Sequence, residues 1–370
     1  MKSNLFIELL GFEKGKAFGY QEYIYNLLNY FYVNRESIYF RKIVLLCLQK
    51  EMDSFDKFQD RFEIVGFNAD SYIKRMWYQT IIPFKLGFCR DDLLFSPGNY
   101  SGIIKRCPEV LVIHDLLFKR KAWLPNFMMR LQRNIMVPLS IRKADKIIAI
   151  SNFTKDDIEK YYNSSRKKLR VIHNSLNLRK YGIIKISNEC NRYFLIISSN
   201  YYHKNQETVL AAYKLYCENG GINNLVVVGN LQPNTVGGAA YYNLPIEIRD
   251  RIIIKSNISN EELGLLYRDA CCFISASLFE GFGMPVAEAM SFGLPVILSD
   301  IPAHREISLN LGVYFEPKDV GDLCEKMLNI KCERKSYSID VKNRYSENNT
   351  SSKYIELFND TSDESYHIDY

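Results

Sequence analysis

The sequence holds no Cys-x-x-Cys pair and no other cysteine spacing that suits a metal, although nine cysteines are scattered through it. Their number is odd, and Cys271-Cys272 lie inside an apolar run. That pattern describes small buried residues in a reducing compartment and argues against a disulfide framework. No stretch reaches the ~18 consecutive apolar residues of a membrane span. The apolar run near the N-terminus, within MKSNLFIELLGFEKGK, is too short for a secretory signal. These absences predict a cytoplasmic protein, peripheral at the inner face of the cell membrane if it touches one at all. Internal repeats, low-complexity blocks and nucleic-acid modules such as an RRM or a zinc finger are missing too, so no nucleic-acid partner is expected. Gly281-Phe282-Gly283 lacks the third glycine of a dinucleotide fingerprint.

What is present is a chain of 370 residues and 43.2 kDa, too long for one small core and suited to two domains. Its 47% hydrophobic and 24% charged residues are those of an ordinary soluble globular protein. The net charge of +6 is unevenly spread. Residues 1–180 carry 31 Lys and Arg against 18 Asp and Glu, and the remainder carries 17 against 24. A basic first half suits an anionic partner such as a membrane surface, a lipid phosphate or nucleic acid, and charge alone does not choose among them.

The most informative stretch is Phe273 to Asp300. A strand-like run at Cys271 to Ser275 leads into a loop with Glu280, Gly281 and Gly283. A helix follows from Pro285 to Gly293, and a second strand runs from Pro295 to Leu298. Proline at the first helical position and glycine past the last mark its limits. A helix start leaves backbone N–H groups unpaired and favours negative charge. The two glycines let the loop approach a ligand closely. Amides near Met284 to Ala287 are therefore expected to hold a phosphate. Glu280 and Glu288 flank that anion site, and acids beside a phosphate are best used on sugar hydroxyls. The description fits a nucleotide sugar; the plain alternative is a strand–turn–helix with two solvated glutamates.

The run EGFGMPVAEAMSFGLPVI closely resembles the E-x7-E signature of retaining glycosyltransferases of family four. That resemblance implies the GT-B fold: two Rossmann-like α/β domains facing across a cleft, with a C-terminal helix crossing back to the first. The expected limits are an acceptor domain at 1–178, a donor domain at 179–345, and a crossing helix with a flexible tail at 346–370. By resemblance Glu288 binds ribose hydroxyls. Glu280 and the backbone of Gly281, Phe282, Gly283 and Met284, ahead of Pro285, hold the donor sugar, while Lys204 and nearby amides hold the diphosphate.

Other matches follow in chain order. Leu5 to Leu10 reads as a first strand, followed by a glycine-punctuated loop from Gly11 to Gly19 and a helix from Gln21 to Tyr32. Gly19 stands where the family's first loop approaches the donor or acceptor. Strand-like runs at 43–48, 62–66, 93–95 and 110–113 lead to His114-Asp115-Leu116. Ligands collect beyond strand ends in such sheets, and the family places this His near the donor sugar. From Lys119 to Lys146, basic residues alternate with Trp123, Leu124, Phe127, Met128, Met129, Leu131 and Met136, which suits either a membrane interface or a helix over a Met-rich core. Thr154 and Asp157 read as a capping box. Asn174 keeps the asparagine of a Pro-Asn-Gly site but not its neighbours.

In the second half six short apolar runs alternate with helices, the pattern of a parallel sheet covered on both faces. Lys204 precedes the helix from Gln206 to Glu218, while Ser199 stands where the family's arginine is expected. His203 would supply part of the missing charge if protonated. No DxD-type metal site is evident, so no cofactor and no metal are expected, and helix dipoles and Lys204 must stabilise the leaving diphosphate. The leading reading is a metal-independent, retaining hexosyltransferase, with mannose among the candidate sugars, moving sugar from a nucleotide sugar to a saccharide acceptor. A basic first half favours a lipid-linked acceptor in surface-polysaccharide assembly. The alternatives are a non-catalytic nucleotide-sugar or carbohydrate-binding protein, for which Ser199 is the best argument, and an epimerase of the same architecture.

Overall fold

The computed structural model describes residues 3–15, 18–120, 127–162, 168–184 and 193–366. The chain divides into two compact units, one of residues 1–175 with 345–370 and one of residues 176–344. The first contains strands β1 (Asn4–Glu8), β2 (Lys42–Leu48), β3 (Glu63–Phe67), β4 (Leu93–Ser96), β5 (Glu109–Ile113), β6 (Lys146–Ala149) and β7 (Leu169–Val171). They form one parallel sheet in the order β3-β2-β1-β4-β5-β6-β7. The second contains β8 (Tyr193–Ser198), β9 (Asn224–Gly229), β10 (Ile252–Lys255), β11 (Cys272–Ser275), β12 (Val296–Ser299) and β13 (Val313–Phe315). Their order is β10-β9-β8-β11-β12-β13, again all parallel. Both units are therefore doubly wound α/β layers, as the continuous apolar strands require.

In the second unit Phe194, Leu225, Val227, Ile274 and Ile297 of the strands are buried together with Tyr213 and Leu323 from covering helices. The helix Asn260–Asp269 starts on a complete capping box, with Ser259 accepting from Glu262 N and Glu262 accepting from Ser259 N. Such a cap contributes about 1 kcal/mol. The C-terminal helix Ser352–Tyr366 packs into the first unit, where the Phe358 ring lies 5.0 Å from Phe95 and 5.5 Å from Phe31.

Several local expectations need correction. The helix Phe18–Val33 already contains Gly19, so that residue is in a helical turn and not in the preceding loop. The cap of helix Asn152–Tyr161 is Ser151, whose side chain accepts from Thr154 N at 3.0 Å. Asp157 instead pairs with Arg120 at 2.9 Å, which explains why the Thr154/Asp157 spacing misled. The tail expected to be flexible from 361 continues as helix to Tyr366, and residues 367–370 lie outside the described residues, as do Trp123 and Leu124.

Candidate active site

The second sheet changes direction between β8 and β11, which are neighbours in space but not in sequence. Loops leaving two such strands diverge to opposite faces, and the crevice beyond their carboxyl ends is where open α/β sheets bind ligands. A shallow recess opens there, lined by Ser198, Lys204, Gln206, Ser275 and Ser277 among others.

Three bonds tie the two loops together. Asn205 adopts a left-handed conformation (φ 54°) just before the helix Gln206–Glu218, and its Nδ2 donates to the Ala276 carbonyl at 3.1 Å. Leu278 N donates to the His203 carbonyl at 2.7 Å. Lys204 Nζ donates to Glu280 Oε1 at 2.6 Å, and the Ser277 hydroxyl donates to the same oxygen at 2.7 Å. Burial by itself would raise the Glu280 carboxyl, but the Lys204 ammonium and the Ser277 hydroxyl outweigh it and hold the group at about 2. Both bonds fall on Oε1, which leaves Oε2 as the side of the carboxylate open to a hydroxyl.

Beneath Glu280 sits His304, fully buried. Its Nδ1 donates to the Ser299 carbonyl at 3.0 Å, so Nε2 accepts from the Ser275 hydroxyl at 3.2 Å. Burial lowers the imidazole's affinity for a proton, against the pull of Glu280. The ring is thus a neutral strut between the ends of β11 and β12.

Glu288 lies one turn into the helix Met284–Ser291 and is 4% exposed. Its oxygens accept from Lys180 Nζ at 2.6 Å and from the Tyr267 hydroxyl at 2.9 Å. Both acids of the E-x7-E spacing therefore hold a lysine of their own unit. Gly283 caps this helix at φ 98°, a conformation that favours glycine. Val286 N and Ala287 N turn back to the Gly283 carbonyl, and Pro285 has no N–H. Of the four residues expected to cradle a phosphate, at most Met284 retains an amide for it. Phe282 is buried beside them.

Ser199 and His203 lie on the same loop after β8 as Lys204. Ser199 is exposed after β8, and the His203 ring stacks on Tyr201 at 5.7 Å. In the first unit, His114 follows β5. Its Nε2 donates to the Pro97 carbonyl at 2.6 Å, and the rings of Tyr23 and Tyr20 meet it edge-on at 4.8 and 5.4 Å. Burial depresses its proton affinity, so it is neutral at pH 7 with Nδ1 as its acceptor. Asn174 is buried with Oδ1 lacking a hydrogen-bond partner, and Gly19 has open space around its Cα.

Sequence reading missed Lys180, Tyr267 and His304, which reach the site from elements too distant in sequence to show a spacing, and also Ser277 and Gln206, which lie within three residues of Glu280 and Lys204. Gln206 is 5% exposed with no partner for Nε2, and it lines both the central recess and a neighbouring one. Its position two residues after Lys204 was the only signal available. Among the described residues no group of three or more His, Cys, Asp and Glu is arranged to hold a metal ion.

Two family models match the chain, Glycosyl transferases group 1 over residues 184–350 and Glycosyltransferase Family 4 over residues 49–180. The chain belongs to the family-four glycosyltransferases. This glycosyltransferase is 29% identical over 249 residues to the O-antigen chain mannosyltransferase RfbU of Salmonella typhimurium, an alignment spanning 67% of each chain. It is 26% identical over 280 residues to the serotype-specific mannosyltransferase WbdA of Escherichia coli, spanning 65% of this chain and only 34% of that one. It is 25% identical over 232 residues to the GDP-mannose:cellobiosyl-diphosphopolyprenol alpha-mannosyltransferase of Komagataeibacter xylinus, covering 60% of this chain and 58% of the other. Its fold matches the sucrose-phosphate synthase of Thermosynechococcus elongatus (TM-score 0.73, 15% identity, 97% and 99% coverage). A glycosyltransferase from Rickettsia africae gives a TM-score of 0.70 at 17% identity, covering 97% of this chain and 98% of the other. The GT-B assignment is thereby shown: two Rossmann-like parallel-sheet domains.

Proposed function

We propose that this glycosyltransferase moves mannose, with retention, from GDP-mannose to a saccharide carried on a polyprenyl diphosphate, during assembly of a surface polysaccharide. The choice of sugar and acceptor is supported by the relatives, whose printed names include mannosyltransferases and one enzyme acting on a diphosphopolyprenol. The observation that carries the reading is the Lys204–Glu280 pair beside the recess at the β8/β11 switch point. A lysine ammonium has three N–H donors. One can stay on Glu280 Oε1 while the others turn to the diphosphate, and Glu280 Oε2 accepts a sugar hydroxyl.

The chemistry proposed is electrostatic. The bond from sugar C1 to the diphosphate oxygen breaks as the acceptor oxygen attacks C1 from the same face. The acceptor's proton passes to the departing phosphate oxygen. Negative charge grows on that phosphate, and Lys204, the start of the helix Gln206–Glu218 and Gln206 Nε2 stabilise it without a metal. Glu288 is the ribose ligand of this proposal, with Lys180 giving way to, or sharing the carboxylate with, the hydroxyls. The first unit takes the acceptor.

Thermal shift with GDP-mannose against UDP-hexoses and ADP-glucose tests the donor, followed by GDP release in the presence of a polyprenyl-diphosphate saccharide. Stabilisation by GDP-mannose with GDP release is the expected result, and failure of every nucleotide sugar to raise the melting temperature overturns the reading. A non-catalytic binder of the same fold is favoured by one observation, the exposed serine at 199 where the family has arginine. Stabilisation by GDP-mannose without hydrolysis or transfer identifies that case.

A further inference from the structure

The recess beside the central one lies within the second unit, and apart from Gln206 its residues have no part in the chemistry proposed above. Its lining includes Asn200, Tyr201, Tyr202, Gln206, Glu207 and Val236. They come from the loop after β8, the first turn of the helix Gln206–Glu218 and the start of the helix Val236–Tyr242. Two polar atoms there, Asn200 Oδ1 and Gln206 Nε2, are buried without a hydrogen-bond partner. Folded chains rarely leave such groups unpaired, so each marks a contact that a bound molecule completes.

The walls of this recess are fixed by the chain itself. Lys204 N donates to the Tyr201 carbonyl at 2.9 Å and Asn205 N to the Tyr202 carbonyl at 3.0 Å, which closes the loop into a tight turn. A Cβ on Gly237 would lie 2.0 Å from Gln206 Oε1, so the helix Val236–Tyr242 presses on that amide where only glycine fits. The Tyr201 ring stacks on His203 at an interplanar angle of 16°, and the residue is still 60% exposed.

The chemistry of the lining selects a neutral, hydroxyl-rich ligand. Among the described residues that line it there is no Lys or Arg, and Glu207 already places a carboxylate in the first turn of the helix Gln206–Glu218. Lys318 approaches from outside the lining, where its Nζ donates to the Tyr202 hydroxyl at 3.0 Å. An anion drawn to the helix start would meet the like charge of Glu207, which argues against a phosphate. A hydroxyl both donates and accepts, so neighbouring hydroxyls of one ring satisfy the Asn200 carbonyl oxygen and the Gln206 amide together. The exposed Tyr201 and Val236 supply apolar surface for the C–H face of a pyranose.

We propose that this recess is a second saccharide subsite, which takes one neutral hexopyranose unit of a glycan beside the central recess. The Gln206 amide nitrogen carries two hydrogens. One serves the departing phosphate and the other holds a ring hydroxyl, so a sugar bound here orients the same amide that faces the central recess. That link rests on the reaction proposed above, whereas the binding of the sugar does not depend on it.

The test is saturation-transfer NMR and calorimetry of the full chain with methyl α-mannopyranoside, mannotriose and maltotriose, each with and without GDP. Expected is binding of at least one of these sugars that persists at saturating GDP, because GDP fills the central recess and leaves its neighbour open. Tyr201→Ala should weaken that binding by about tenfold through loss of the ring face. Asn200→Ala should weaken it by about fivefold through one lost hydrogen bond. Tyr201→Phe keeps the ring and should bind as the native chain does. Neither position holds the donor, so the melting temperature and its shift by GDP-mannose should be the same in all three variants. Failure of every sugar to bind, displacement of the sugar by GDP, or unaltered binding in Tyr201→Ala and Asn200→Ala would overturn the proposal. So would displacement by guanosine, because the recess would then take a nucleobase. The sugars are also titrated without nucleotide, so their failure to bind is distinct from failure of the donor reading.

Discussion

Replacing Lys204 with methionine tests the site most directly, because the substitution keeps the stem and removes only the ammonium. In the folded chain Glu280 titrates at about 2 in place of 4.5. Each tenfold change in proton affinity is about 1.4 kcal/mol, so the depressed carboxyl contributes about 3 kcal/mol of stability at neutral pH. That contribution is fully present above 4.5 and is lost as pH falls from 4.5 through 2. Without Lys204 the dominant influence left on Glu280 is burial, which raises its titration instead. The variant therefore loses the favourable contribution and gains a penalty for a buried unpaired charge, a cost of about 3–5 kcal/mol at pH 7. Acidification should close the gap, since a protonated Glu280 needs no cation. Glu280→Gln in the Lys204→Met background should recover much of the loss. Urea unfolding at several pH values, read from the transition of the second unit, gives each quantity. A loss below about 1 kcal/mol, or one that is the same at pH 7 and pH 3, would refute the reasoning, because a surface pair of no consequence behaves that way.

Four further outcomes follow. In transfer assays Lys204→Met should lower kcat by about 10²–10³, the usual effect of removing a donor to a developing oxyanion. Activity should persist in EDTA, and abolition by chelation with restoration by Mg²⁺ or Mn²⁺ would refute the metal-free account. Burial raises the Glu8 carboxyl to about 7, against the hydrogen bonds from Leu10 N and Gln79, so its favourable share of stability is complete below 4.5 and disappears as pH rises through 7. Glu8→Gln should accordingly stabilise the chain by up to about 3 kcal/mol at pH 8 and by almost nothing at pH 4 in urea unfolding. Gly102→Ala should cost about 1–3 kcal/mol in the same assay through overpacking, since its Cβ would meet backbone and not a movable side chain.

The central loop shows how far local chemistry reaches. Pro285 fixes φ at the helix start, and Gly283 and Gly293 permit the left-handed turns at its two ends, so strand, loop and helix at 272–299 could be read directly. The same locality misled elsewhere. Gly19 punctuates a loop pattern but lies in a helix, because the tertiary packing of Tyr23, Ile24, Leu27 and Leu28 carries the helix back past it. Thr154 and Asp157 have a box's spacing, yet a better cap stood at Ser151 and a cation at Arg120 claimed the acid.

While the two-domain fold came from the family resemblance, the order of residues by itself determined alternating apolar strands and helices in the second half, the helix at Pro285 and the acids on either side of its start. These rest on periodicity and backbone restriction, which act over a few neighbours. Only the tertiary structure decided that Lys204 grips Glu280, that Lys180 and Tyr267 occupy Glu288, and that His304 stands neutral beneath the loop. Those pairings join residues tens of positions apart, and the order in which strands enter a sheet, which no local pattern encodes, sets which loops meet.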